Sequence, residues 1–389
     1  MKQTPILFLG DSPDLRTGLG RIGRDLASLC ASLPEFRVGY LGRGGMGSRQ
    51  LPFVQYNFPE TAQWGEQHIE QAWNDFAGND TGVIFSIWDV SRLGWFAMPH
   101  TLPDGNLRRF LTSGRFQRWG YFPVDAYGPG QRLSVASVES LRRFNRVLGY
   151  TIWGADVLSK CVGRQVDWIP HGISLDTFQP REKTGGRLSL GVKDSDYLVG
   201  CVMTNQARKD WGLACSAIAA ARKSIPHLKF WAHIDVFQRS HCWDLRALLA
   251  DFNIEDIARV TFSGSFEDKE MSYYYSACDL TILPSLGEGF GYPIVESLAC
   301  GVPVIHGNYG GGAELLPSTN WLVNPVAHRM EGIHNAIRPV YEPNNWAEGI
   351  VASSHLHEQA SFYRDSVAHL EWKKLWPSCW AKWFKEGLG

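Results

Sequence analysis

Two glutamates, Glu288 and Glu296, stand with seven residues between them in the run Leu283-Pro-Ser-Leu-Gly-Glu-Gly-Phe-Gly-Tyr-Pro-Ile-Val-Glu296. Carboxylates accept hydrogen bonds, and beside a phosphate they are suited to grip hydroxyls rather than the anion itself. The surrounding residues predict how the pair is held. Leu280 to Leu283 reads as a buried strand, and Gly287, Gly289 and Gly291 read as a loop whose backbone can come close to a ligand. Pro293 suits the first turn of a helix with Ile294, Val295, Leu298 and Ala299 on its apolar face; Gly301 and Pro303 end it before a strand at Val302 to Ile305. Strand, glycine loop and helix N-terminus form an anion site, because unpaired N–H groups and the positive end of the helix dipole point into the loop. The expected ligand carries both phosphate and sugar hydroxyls.

A second charged loop, Thr204-Asn-Gln-Ala-Arg-Lys-Asp210, follows a strand predicted at Tyr197 to Met203. Arg208 can hold a diphosphate with two parallel N–H groups, and Lys209 can serve as a point charge.

The pattern Glu288, seven residues, Glu296, with Gly289, Phe290, Gly291 and Pro293 inside it, is followed by Gly301-Val-Pro-Val-Ile305 and the glycines leading to Glu314. It resembles the large family of retaining nucleotide-sugar glycosyltransferases with the GT-B fold, the family-four-like group. The resemblance implies an α/β protein of two facing doubly wound, Rossmann-like domains whose C-terminal helix returns to the first domain. It implies that the second domain binds the donor, commonly a uridine diphosphate hexose, with Glu288 on the sugar and Glu296 on the ribose. Lys209 matches the family's diphosphate lysine. The family's arginine falls nearer Asn205, whereas Arg208 comes later, so either residue is a candidate for the second contact. The loop at 263–266, with Phe266, and the helix around Met271 to Ala277 resemble the part that holds the base.

Other stretches join the resemblance. Thr17-Gly18-Leu19-Gly20-Arg21 resembles the amino-terminal glycine loop that faces the donor, and on residues alone it is equally a turn opening a helix. Pro170-His171-Gly172, with Phe178 and Pro180, resembles the crossing into the second domain; His171 is either a donor contact or a structural histidine. Where many members have a histidine after a first-domain strand, this chain has Asp125, either a contact and base for the acceptor hydroxyl or a turn-forming aspartate. The implied course is front-side attack with retention, the leaving charge being met by Arg208, Lys209 and backbone N–H groups. No cofactor and no metal is expected.

The 389 residues suffice for two domains, and a net charge of −1 discriminates no class of partner. Eight cysteines without close pairs argue against zinc sites and disulfides and fit a reducing cytoplasm. No apolar run is long enough to span a membrane or to form a signal-peptide core. Strands predicted at Ile6 to Leu9, Val38 to Leu41, Val83 to Trp88, Gly120 to Val124 and Arg146 to Tyr150 alternate with helical patterns, as in parallel wound sheets. Arg181 to Arg187 reads as a linker, which divides the chain into 1–184, 185–365 and a tail, 366–389. The tail predicts two short helices broken at Pro377.

The acceptor is addressed by charge. From Arg92 to Arg164 there are eleven basic residues against four acids. Arg108, Arg109, Arg115, Arg118 and Tyr127 lie there among Phe110, Phe116, Trp119 and Tyr121, a mixture suited to phosphates and unstacked bases. A hydroxylated base in DNA is the resulting expectation. The opening Gly-Asp-Ser-Pro and Thr-Gly-Leu-Gly-Arg segments also resemble bacteriophage glycosyltransferases, which would act in the host cytoplasm. The near-neutral chain keeps glycan, lipid and small-molecule acceptors open. A phosphorylase, an epimerase or a non-catalytic sugar-nucleotide binder are the alternatives on this fold.

Overall fold

The computed structural model describes residues 2–264, 266–332, 334–356 and 359–388. Two parallel sheets organise it. In the first, β1 (Thr4–Asp11), β2 (Phe36–Arg43), β3 (Val54–Phe58), β4 (Gly82–Ile87), β5 (Phe116–Phe122), β6 (Arg146–Gly149) and β7 (Asp167–Trp168) run in the order β3-β2-β1-β4-β5-β6-β7. In the second, β8 (Tyr197–Val202), β9 (Leu228–Ile234), β10 (Ala258–Phe262), β11 (Leu280–Leu283), β12 (Val304–Gly307) and β13 (Leu322–Val323) run in the order β10-β9-β8-β11-β12-β13. The central strands are near-continuous apolar runs because helices cover both faces: Ile6, Leu7, Phe8 and Leu9 have no exposed surface at all. A small sheet of β14 (Ala327–Glu331) and β15 (Ala336–Val340) is added to the second half.

The order of each sheet reverses direction at one place, between β1 and β4 in the first and between β8 and β11 in the second. Loops leaving the carboxyl ends of strands on either side of such a reversal diverge and leave a crevice, which is where open α/β sheets bind ligands.

The chain divides into two compact units. One comprises Met1–Gly172, Gly332–Ala336 and Lys373–Gly389; the other comprises Ile173–Glu331 and Ile337–Trp372. The division after Gly172 precedes the boundary read at 185. The stretch read as a linker is instead the first helix of the second unit, Lys183–Leu190. Its Arg187 is buried, bonded to Asp279 at 2.6 Å and to the carbonyls of Ala277, Lys193, Asp194 and Asp196. Gly186 marks close packing rather than looseness: a Cβ there would lie 2.5 Å from the Tyr273 carbonyl.

Within the first unit, the tail closes the core of the sheet. Trp380 and Phe384 have no exposed surface, and Phe384 packs on Phe8, Phe36, Phe85 and Trp119. Arg146 lies 3.9 Å over the Trp383 ring and bonds its carbonyl at 2.6 Å. Pro377 does not break this segment. Trp376–Trp380 forms a π-helical turn leading directly into the helix Ala381–Glu386, and the wider turn absorbs the missing N–H. Among the described residues, no helix is long and apolar enough to cross a membrane.

Candidate functional site

In the second unit, the loops after β8 and β11 meet at the point where the strand order reverses. The N–H of Leu286 bonds the carbonyl of Arg208 at 2.7 Å. The Arg208 guanidinium returns to the carbonyl of Gly287 at 2.7 Å and to Ser285 Oγ at 3.3 Å. Two loops far apart in sequence are thereby one structure.

At its centre the Lys209 ammonium donates to Glu288 Oε1, and Arg208 lies 3.3 Å from the same oxygen. Glu288 is 5% exposed and Lys209 7%. Burial pushes the Glu288 carboxyl up, but the charges of Lys209 and Arg208 and the hydrogen bonds of Lys209 and Ser285 outweigh it and leave the carboxyl at about 2. Glu288 is therefore an ionised, oriented carboxylate. Lys209 is presented by a strained corner: Asp210 has φ +26°, and its side chain caps the next helix at Leu213 N. Aspartate is among the few residues that enter the left-handed region readily.

Gly291, at φ +106°, turns the chain into the helix Tyr292–Ala299, and the helix begins beside Glu288: a Cβ on Gly291 would lie 3.8 Å from the Glu288 Cβ. Glu296, a turn further along, is 8% exposed, and its Oε2 accepts from Tyr275 at 2.7 Å. Phe290 is buried against Tyr292. Phe266 packs on Tyr274 and His233 at 4.4 and 5.9 Å, over the carboxyl ends of β9 and β10. Ser265 of that loop lies outside the described residues.

Asn205, the other candidate for the diphosphate contact, is committed to the fold. Its amide donates to the carbonyls of Trp243 and Val236, and its Oδ1 accepts from Trp243 N, with no exposed surface remaining. It ties the loop after β8 to the loop after β9, which leaves Arg208 as the cation on the glycine loop.

His306 was not singled out by the sequence. At the end of β12, its Nδ1–H donates to the Leu283 carbonyl at 2.7 Å, so Nε2 is the bare nitrogen; Nε2 is buried and has no hydrogen-bond partner. Gly312 must be glycine because a Cβ there would lie 2.7 Å from that nitrogen and 3.2 Å from the Glu288 Cβ. The only signal in the sequence is a histidine ending a run of strand residues. Tyr275 was likewise missed; a tyrosine in the helix Asp268–Ala277, five residues before a strand, carries no sign of its partner.

The remaining candidates lie in the first unit. Thr17 caps the helix Gly18–Cys30 by accepting from Gly20 N at 3.0 Å, and its hydroxyl donates to Asp11 at 3.2 Å. His171 is buried. Tyr121 donates to the Ile169 carbonyl at 2.6 Å, so its oxygen accepts from His171 Nδ1–H at 2.8 Å. Burial, with the charge of Arg21, holds this imidazole neutral well below its usual range. Asp125 lies three residues beyond β5, and Tyr127 packs on Trp153. The arginines expected to meet the acceptor are divided. Arg108 and Arg109 are exposed on the helix Gly105–Leu111. Arg115 bonds Asn74 and the Gly78 carbonyl, and Arg118 is turned inward onto the Phe96 and Leu111 carbonyls and the Phe96 and Phe116 rings. The latter two hold the fold together.

No group of three or more metal-ligating side chains is present among the described residues. The chain does contain one Asp-x-Asp triplet, Asp194-Ser-Asp196. It lies in the turn before β8, at the end of the strand opposite Lys209, where two of its carbonyls bind Arg187.

Residues 247–348 match the family model described as glycosyl transferases group 1. The lipopolysaccharide core biosynthesis mannosyltransferase LpsB of Rhizobium meliloti is 31% identical over 166 residues, covering 38% of this chain and 42% of that protein. The chain thus matches less than half the length of this relative. Among solved structures, sucrose-phosphate synthase from Thermosynechococcus elongatus has a TM-score of 0.74 at 18% identity, over 99% of both chains. Anabaena HepE in complex with UDP-glucose has a TM-score of 0.71 at 18% identity, over 96% of both. The two parallel-sheet, Rossmann-like units have the GT-B fold.

Proposed function

We propose that the chain is a glycosyltransferase that moves a hexosyl group from a nucleoside diphosphate sugar to a hydroxyl acceptor with retention at the anomeric carbon. One observation carries this reading: an ionised Glu288 is clamped by Lys209 and Arg208 beside a helix N-terminus, where the second sheet reverses order. The match to glycosyl transferases group 1 covers Glu288 and Glu296 and supports it.

In this reading the helix N-terminus, Arg208 and Lys209 receive the diphosphate, Glu288 orients the sugar through its hydroxyls, and Glu296 holds the ribose. The bond from the anomeric carbon to the diphosphate oxygen breaks, and its electrons go to that oxygen, where the two cations offset the charge. The acceptor oxygen bonds the same face of the carbon and passes its proton to the departing oxygen. Asp125 orients the acceptor hydroxyl. The cations and backbone N–H groups supply the positive charge that a metal would otherwise bring.

UDP-glucose is the first donor to try, since it is the ligand of the HepE structure. The DNA base is set aside as acceptor because Arg115 and Arg118, two of the four arginines named for it, are engaged inside their own unit. A panel of nucleotide sugars should contain one that raises the melting temperature, and the product formed from it should keep the donor's anomeric configuration by NMR. An inverted product overturns the retaining course. Turnover of the donor without any acceptor would point to an epimerase or hydrolase.

A further inference from the structure

The first sheet has its own reversal, between β1 and β4, and a cationic surface stands there that the donor chemistry does not use. Trp88, the residue after β4, donates its indole N–H to Asp11 at the end of β1 at 2.8 Å, joining the two loops. Trp64 packs edge-on against Trp88 with ring centroids 5.6 Å apart. Two guanidiniums sit over the Trp64 ring, Arg43 at 4.6 Å and Arg92 at 4.5 Å from its centroid. Arg43 is the last residue of β2, in register with Asp11; Arg92 lies in the short turn Val90–Leu93 after β4. Both therefore stand at the carboxyl edge of the sheet.

These two differ from the inward-turned arginines of the same unit. Arg43 spends two donors on the carbonyls of Glu60 and Gln63, and neither it nor Arg92 has a carboxylate within ion-pair distance among the described residues. Arg92 is half-buried and oriented by the ring, yet among the described residues its guanidinium has no acceptor. Two guanidiniums on one indole concentrate positive charge at this edge of the sheet, and an anion held there offsets it. Arginine presents paired donors that match a phosphate or carboxylate in two parallel hydrogen bonds.

We propose that Arg92, with Arg43, receives an anionic group carried by the acceptor, a phosphate or a carboxylate on a small hydroxylated molecule. This rests on the glycosyltransferase reading, and the test separates the two. With the nucleotide site saturated by UDP, inorganic phosphate and glucuronate are titrated by calorimetry into the wild-type chain, R92A and R92K. K209A without nucleotide serves as the variant in which one of the second unit's two cations is removed. We expect one of the two anions to bind the wild type and K209A, to bind R92A at least about tenfold more weakly, and to bind R92K in between. Phosphate binding identifies a phosphorylated acceptor, and glucuronate binding identifies an acidic sugar. UDP affinity should be equal in the wild type and R92A. Arg92 is half-exposed and its side chain makes no hydrogen bond among the described residues, so R92A should melt with the wild type. Anion binding unchanged in R92A, or absent from the wild type, overturns the proposal. Absence of UDP binding instead fails the glycosyltransferase reading and leaves the anion titration of K209A to decide this one.

Discussion

Lys209 and Glu288, 79 residues apart in the chain, form a buried ion pair in which the carboxylate also faces Arg208 at 3.3 Å. Each charge is taken out of water by two loops that come from opposite sides of the strand reversal. A buried charge with its partner removed is costly, so this pair locks the two loops into one geometry.

Removal of one partner should therefore cost more than removal of both. K209M and E288Q are each expected to lose about 3–5 kcal/mol of stability, with the double variant losing less than either. Denaturant unfolding of the four proteins measures this coupling. Additive losses would mean that the two side chains do not depend on each other.

Turnover should separate the two residues. E288Q keeps the shape of the side chain but weakens its acceptance from sugar hydroxyls. We expect kcat to fall about 100-fold or more with UDP affinity changed by less than about threefold. K209A should lower both, because the diphosphate is charged before and after the bond breaks. Steady-state kinetics beside UDP calorimetry gives the comparison, and a loss of UDP binding in E288Q would move Glu288 onto the phosphate.

Tyr275 orients Glu296 through a 2.7 Å hydrogen bond. E296A should weaken nucleotide binding, and Y275F should weaken it less, by about 1 kcal/mol, through loss of that orientation. If Y275F binds more weakly than E296A, tyrosine and not glutamate is the ribose contact.

Stability should fall on the acid side of neutrality. Burial holds His171 well below its usual range, lowers His233 to about 4, and lowers His306. The unfolded chain takes up protons near 6.5 that the folded chain refuses, so the neutral imidazoles contribute fully above pH 6.5 and their contribution is lost as pH falls. For His233 the interval from 6.5 to about 4 corresponds to roughly 3 kcal/mol. Glu288 adds a later loss between pH 4.5 and about 2. Melting temperatures from pH 8 to 4 should decline below 6.5, and more gently in H233Q.

Phe384 fills the core of the first sheet from the far end of the chain. F384A should destabilise by about 3–5 kcal/mol while UDP binding to the surviving folded protein is unchanged. A change under 1 kcal/mol would show that the tail is dispensable.

The alternation of buried strands and helices, the glycine loop at 287–291 and the helix that follows it were legible because each is encoded within a short window. Apolar period, a proline at a helix start and glycine at a positive φ act on neighbouring residues, so order along the chain suffices to read them. The pairing of Glu288 and Glu296 with one loop and helix belongs to the same local class. Where polar side chains find partners does not. Asn205 and Arg208 look equally fit for a diphosphate until the loop after β9 claims the amide of Asn205. Arg118 and Arg92 are both arginines among aromatics, yet among the described residues one is spent on carbonyls and the other meets a ring face. Gly186 reads as part of a linker until the helix Asp268–Ala277 is packed against it, and Pro377 reads as a break until a π turn accommodates it. In each case the deciding atom comes from a segment distant in sequence or from a backbone adjustment imposed by packing. The sequence by itself determined which residues could do the chemistry; only the tertiary structure decided which of them are already engaged.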